Sequence, residues 1–166
     1  MRSSVGGSRS FAVAAISLVA CWSLFFFVYH DPWSQALFIT GNAIGAGAIL
    51  LIVLALRALR RGGAPSAPHD SVPTTRLVTT GIYGLVRHPL YLGWLLAYPA
   101  AMAVSQHWVV IAVGAVGIWS TVRIVQAADV ALLAKFGTPY ERYMQEVPQL
   151  NLITGVVRRL IRRSRA

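Results

Sequence analysis

Phe11–Tyr29 reads FAVAAISLVACWSLFFFVY, nineteen consecutive residues without a charge. A helix rises about 1.5 Å per residue, so a run of this length reaches across a hydrocarbon core of about 30 Å. The whole chain favours the membrane reading over that of a buried core helix. Of 166 residues, 56% are hydrophobic and only 12% charged, with a mean hydropathy of +0.60. Soluble domains carry about 25% charged residues. Leu18-Val19-Ala20-Cys21 resembles a lipoprotein cleavage box, but the apolar run continues from Trp22 to Tyr29, which favours an uncleaved span. Cys21, the single cysteine, reads as a small buried hydrophobe.

Working outward, Pro32 stops this first helix and Trp33 suits an interface. Ala36–Leu56 is a second apolar run, of 21 residues, with Gly41, Gly45 and Gly47 as close-packing positions. A phosphate-cradling glycine loop would need a preceding strand, and no β pattern is present. Arg57, Arg60 and Arg61 close this run. Residues 62–75 form a Pro- and Gly-rich loop in which His69 and Asp70 read as solvated, without metal-ligand spacing. Leu90–Val104 is apolar but only 15 residues long, so a full span requires a start near Tyr83 or a thin region of bilayer. Pro99 should kink it. Ser105-Gln106-His107 is a turn, and Trp108–Val122 is apolar again, so 90–122 reads as a helical hairpin. From Arg123 the second arm leaves the apolar region, ending at Phe136-Gly137. Thr138-Pro139-Tyr140-Glu141 opens a short helix to about Val147, with Thr138 as N-cap.

The tail, 152–166, alternates Leu152, Ile153, Val156, Val157, Leu160 and Ile161 with five arginines, interrupted by Gly155. That is an amphipathic basic helix suited to an anionic membrane surface. The net charge of +10 has the same explanation. Every Lys and Arg lies in 1–10, 57–87 or from 123 onward, and none in 30–35 or 105–107. With four spans, all positive charge faces one side, which the positive-inside rule makes cytoplasmic for both termini. A nucleic-acid partner is not needed. The expected fold is therefore all-α: a polytopic membrane helical bundle of about four transmembrane helices, with a C-terminal helical hairpin and cytoplasmic amphipathic helices, in one domain over 1–166. A bacterial-type inner membrane fits this plan.

The cytoplasmic face collects the chemistry. Arg87 and His88 precede the hairpin and Asp129 follows it, so antiparallel geometry brings them together. The helix starting near Pro89 presents free N–H groups that favour an anionic ligand group. Asp129 would hold a cationic one, so the pair suits an amino-acid moiety. Singly, Arg87 reads as snorkelling, His88 as a hydrogen-bonded residue at a helix start, and Tyr83, Tyr91 and Trp94 as belt aromatics.

Two motifs bind these residues into one pattern. Gly81-x-Tyr83-x-x-x-Arg87-His88-Pro89-x-Tyr91-x-Gly93, followed by Leu132-x-x-x-Phe136-Gly137-x-x-Tyr140-x-x-Tyr143-x-x-x-Val147-Pro148, resembles the signature of the isoprenylcysteine carboxyl methyltransferase and phospholipid methyltransferase superfamily. The resemblance covers roughly 81–148, and it makes about 76–148 the cofactor-site half. It implies an integral membrane methyltransferase that uses S-adenosylmethionine without a Rossmann domain. Tyr83, Arg87, His88, Pro89, Tyr91 and Asp129 would bind the cofactor, and Arg87 and His88 would orient the reaction. No metal is implied. A lipophilic acceptor (an isoprenylcysteine-like carboxylate, a thiol or a phospholipid amine) would enter near Trp94 and Tyr98. The family's pair of adjacent glutamates falls at Ala128 and Asp129, so this chain keeps one carboxylate, shortened. Sterol reductases, which use NADPH, share a similar Arg-His-Pro-x-Tyr arrangement but are much longer. A non-enzymatic membrane scaffold is the remaining alternative.

Overall fold

The computed structural model describes residues 3–28, 33–63 and 75–164. Pro32, His69 and Asp70 lie outside them. Among the described residues, six α-helices and one 3-10 turn make up the regular structure, with no strand. Helix α1 is Ser3–Val28, α2 Gln35–Gly62, α3 Pro89–Ser105, α4 Trp108–Phe136, α5 Thr138–Glu146 and α6 Leu152–Arg163.

Among the described residues, two helices, α2 and α4, are long and apolar enough to cross a membrane. Only 22% of the apolar window of α2 and 39% of that of α4 is buried, whereas a core helix of a soluble protein is mostly covered. Ile39, Ile49, Leu50 and Trp119 are among the large apolar side chains turned outward. Helix α3, Pro89–Ser105, is apolar but shorter. The earlier start near Tyr83 that would lengthen α3 is not adopted. Gly81–Gly84 forms a 3-10 turn, entered through Gly81 at φ +64°, and α3 begins at Pro89. It then continues through Pro99 to Ser105.

The chain divides into two compact units. The first comprises Met1–Leu50 and Tyr91–Ala127, the second Leu51–Leu90 and Ala128–Ala166, so α2, α3 and α4 each contribute to both. In the first unit, Cys21, Tyr98, Ala101 and Val110 form a buried cluster that joins α1, α3 and α4. The small residues do what their spacing predicts. A Cβ at Gly41 would press on Val104 and Ala100, so α2 and α3 approach closely there. Gly117 makes room in the same way for the Tyr98 ring. The segment before α2 is joined to the turn between α3 and α4. Ser34 N–H donates to Gln106 Oε1 at 2.9 Å, and Gln106 Nε2 donates to Ser34 O at 2.8 Å. The two ends that carry no Lys or Arg therefore lie side by side.

In the second unit, Tyr140 and Tyr143 of α5, with Val147 just after it, pack against Leu77, Leu132 and Phe136. Thr138 is not the N-cap of α5. That position belongs to Gly137, at φ +57° and ψ −134°, a backbone conformation open to glycine, so one residue both ends α4 and starts α5. Gly155 does not interrupt α6. It is a buried helical residue whose missing side chain lets the helix lie on the backbone of Leu85.

Candidate functional site

The segment from Tyr83 to Pro89 is fixed from several directions within the second unit. Leu85 and Val86 N–H both donate to the Ile82 carbonyl, closing the 3-10 turn, and the Val86 side chain is fully buried. The chain then runs alongside the segment that follows α5. Arg87 N–H donates to Pro148 O at 2.9 Å and His88 N–H to Gln149 O at 3.2 Å. From α5, the Tyr143 hydroxyl donates to the Tyr83 carbonyl at 2.6 Å. Pro89 sits at the first position of α3, where its missing N–H costs no hydrogen bond, and it is fully buried.

These constraints aim Arg87 and His88 at one carboxylate. Arg87 Nη1 donates to both oxygens of Asp129, at 3.1 and 3.2 Å. His88 Nε2 faces Oδ1 at 2.6 Å. The Tyr140 hydroxyl donates to the same oxygen at 2.5 Å, and Gln149 Nε2 donates to Oδ2 at 2.7 Å. The side chains of Arg87, His88 and Asp129 are 9%, 5% and 13% exposed, so the group is largely withdrawn from water.

Asp129 lies beyond Arg123, outside the apolar stretch of α4. Burial pushes its carboxyl up. Hydrogen bonds from His88 and Tyr140 and the positive charge of Arg87 outweigh that, holding it at about 2. An ionised carboxylate only accepts, so Nε2 of His88 carries the hydrogen in this contact. Burial, and then the adjoining carboxylate, push the Tyr140 phenol well above its ordinary range. Burial, followed by the neighbouring phenols Tyr140 and Tyr83, does the same for Tyr143. Both phenols stay protonated and act as donors.

A carboxylate has about four acceptor positions, and here the donors of four side chains fill them. Asp129 is therefore the hub that orients Arg87 and His88, without a position left over for the ammonium of a ligand. Arg87 Nε is buried and has no hydrogen-bond partner. Such a group is costly to leave unpaired, and an anionic or carbonyl oxygen would satisfy it.

The expected meeting of Arg87, His88 and Asp129 is thus present. Tyr140 and Gln149 were not foreseen as members. Tyr140 belonged to the second motif without an assigned role, and Gln149 follows it with no marking pattern. The other expected residues, Tyr91, Trp94 and Tyr98, belong to the first unit. Tyr91 and Trp94 meet edge-on at 6.0 Å, and Trp94 also meets Phe11 at 5.5 Å. Tyr98, expected to line an acceptor path, is instead a closed core position. It is fully buried, its ring lies against Gly117, and its hydroxyl donates to Ala14 O at 2.8 Å. No cluster of three or more His, Cys, Asp or Glu suited to a metal occurs among the described residues. Comparison with protein-family models, with curated proteins and with solved structures returns no match for this chain.

Proposed function

We propose that this protein is an integral membrane methyltransferase that uses S-adenosylmethionine and acts on a lipophilic or membrane-associated acceptor. The observation that carries the reading is the joining of the two motif blocks. Arg87 of the first block pairs through its backbone with Pro148, the last residue of the second, and His88 with Gln149 just after it. Their side chains share Asp129 with Tyr140 of the second block. Residues picked out by one family resemblance thus occupy one buried polar group.

The fit to the cofactor rests on Arg87. Its unpaired Nε is a buried donor suited to the carboxylate of the amino-acid moiety. We assign Asp129 a positioning role, because its acceptor positions are occupied by Arg87, His88, Tyr140 and Gln149. When bound, the cofactor supplies an electrophilic methyl group. The chain then has to bind, orient and exclude water, since in-line methyl displacement depends mainly on placement and electrostatics. An acceptor that arrives protonated needs a base, and His88 is the imidazole of this group.

The proposed setting is a four-span arrangement in a bacterial-type inner membrane, with both termini cytoplasmic. The Ser34–Gln106 pairing supports it, because it puts the two connections without Lys or Arg at one end, as the positive-inside rule requires. The test is transfer itself. Membranes containing the protein, incubated with methyl-labelled cofactor, should place label in the lipid extract, and His88→Ala membranes should not. Equal labelling by the two would remove His88 from the mechanism, and no labelling by either would favour a scaffold.

A further inference from the structure

Apart from the Asp129 group, the second unit contains a cavity of about 620 Å³ between the last turns of α2, the 3-10 turn and α6. This lies within the range of about 300–1,000 Å³ usual for small-molecule sites. Its charged side chains are Arg57 and Arg61 of α2 and Arg159 of α6, and its apolar wall includes Leu54, Ile82 and Leu85. Of the acidic residues described, Asp129, Glu141 and Glu146, none lines it, and none of the three arginines forms an ion pair among the described residues. Arg57 and Arg61 are four residues apart on one helix, a spacing at which like charges repel. The negative end of the α2 dipole favours a cation at Arg61 but does not account for Arg159 reaching the same cavity from another helix.

We propose that this cavity binds the phosphate of an anionic amphiphile, with the apolar chain laid along Leu54, Ile82 and Leu85. Three exposed arginines line this one cavity without a carboxylate, and that set suits a phosphate, which guanidinium binds through paired N–H donors. The apolar wall distinguishes an amphiphile from a free phosphate. Leu54 belongs to the apolar run of α2 and is 38% exposed, while Arg57 opens the basic end of the same helix. That order, hydrocarbon and then cation, is the order a lipid presents at the edge of a bilayer. Ile153 and Leu160 of α6, 79% and 60% exposed, are apolar residues on the helix that brings Arg159. The lipid bound here is a resident of the protein, not its methyl acceptor, and the site shares no residue with the Asp129 group.

Native mass spectrometry of the full chain in detergent, titrated with phosphatidylglycerol or phosphatidylcholine, tests the site. One phosphatidylglycerol should be retained, and phosphatidylcholine should bind at least tenfold more weakly. A basic residue near an anionic headgroup contributes about 1 kcal/mol, so Arg61→Gln should weaken binding about fivefold. Combining it with Arg57→Gln and Arg159→Gln should weaken binding on the order of a hundredfold. Arg61→Lys, which keeps the charge, should lose less than Arg61→Gln, and Arg142→Gln, outside the cavity, should bind as the unmodified protein does. Equal retention of the two lipids, or undiminished binding by a triple variant of unchanged helicity, would overturn the site. Millimolar inorganic phosphate that displaces the lipid and raises the melting temperature as much would overturn the amphiphile assignment. Loss of binding in Arg142→Gln equal to that in Arg61→Gln would show a diffuse charge effect and overturn the site as well.

Discussion

His88 Nε2 lies 2.6 Å from Asp129 Oδ1, although 41 residues separate the two in the chain. The short contact is held from both sides. The backbone of His88 is tied to Gln149, and the side chain of Gln149 is tied to the other oxygen of Asp129. Disturbing the carboxylate therefore disturbs Arg87, His88 and the segment after α5 together.

Asp129→Asn keeps the shape and removes the charge. Arg87 is then left as a buried guanidinium without its counter-charge. Removing one partner of a buried ion pair costs about 3–5 kcal/mol, and a loss of that order is expected in chemical unfolding of the purified protein. A loss below about 1 kcal/mol would mean that water compensates Arg87.

The same carboxylate sets an acid limit. Its folded value of about 2 lies below its ordinary 3.8, so the stability it contributes is in place above about pH 4 and is lost as pH falls toward 2. Unfolding followed by circular dichroism should show this fall in the unmodified protein, with a flatter profile in Asp129→Asn over the same interval.

Two tyrosines separate a charged from a neutral hydrogen bond. Tyr140→Phe removes a donor from a carboxylate, at a cost of about 1.5–3 kcal/mol. Tyr143→Phe removes a donor from the Tyr83 carbonyl, at a cost of about 1 kcal/mol. Both phenols are buried, so parallel unfolding curves should rank Tyr140→Phe as the more damaging, and the reverse order would contradict the central place of Asp129.

Gly155→Ala carries an opposed expectation of sign. In an open helix the change would stabilise by roughly 0.5–1 kcal/mol. Here the new methyl meets the Leu85 carbonyl, a backbone group that cannot swing aside, so a loss of about 1–3 kcal/mol is expected. Hydrogen exchange should rise along α6 and at residues 85–87.

Much of this was readable along the chain because it depends on local rules. Apolar runs located the helices, and Gly137 with Pro139 marked the junction of α4 and α5. The flanks of a hairpin placed Arg87 and His88 near Asp129. What was not readable depends on directions set by tertiary packing. Tyr140 reaches Asp129 because the positive φ of Gly137 turns α5 back, and no pattern in the sequence carries that angle. Gln149 sits in a turn and is selected by the backbone pairing of His88. Tyr98 resembled a pocket aromatic, since an apolar neighbourhood looks alike whether it opens to a ligand or closes on Gly117. Thr138 had the chemistry of an N-cap but lost the position to a glycine able to adopt the required backbone.

Calorimetry with S-adenosylhomocysteine, the demethylated form of the proposed cofactor, addresses the central claim most directly. The purified protein should bind one equivalent. Binding should fall at least tenfold in Arg87→Lys, which keeps the charge but moves the donors, and in His88→Ala, with both variants folded by circular dichroism. Binding of NADPH in place of S-adenosylhomocysteine, or of neither, would contradict the account.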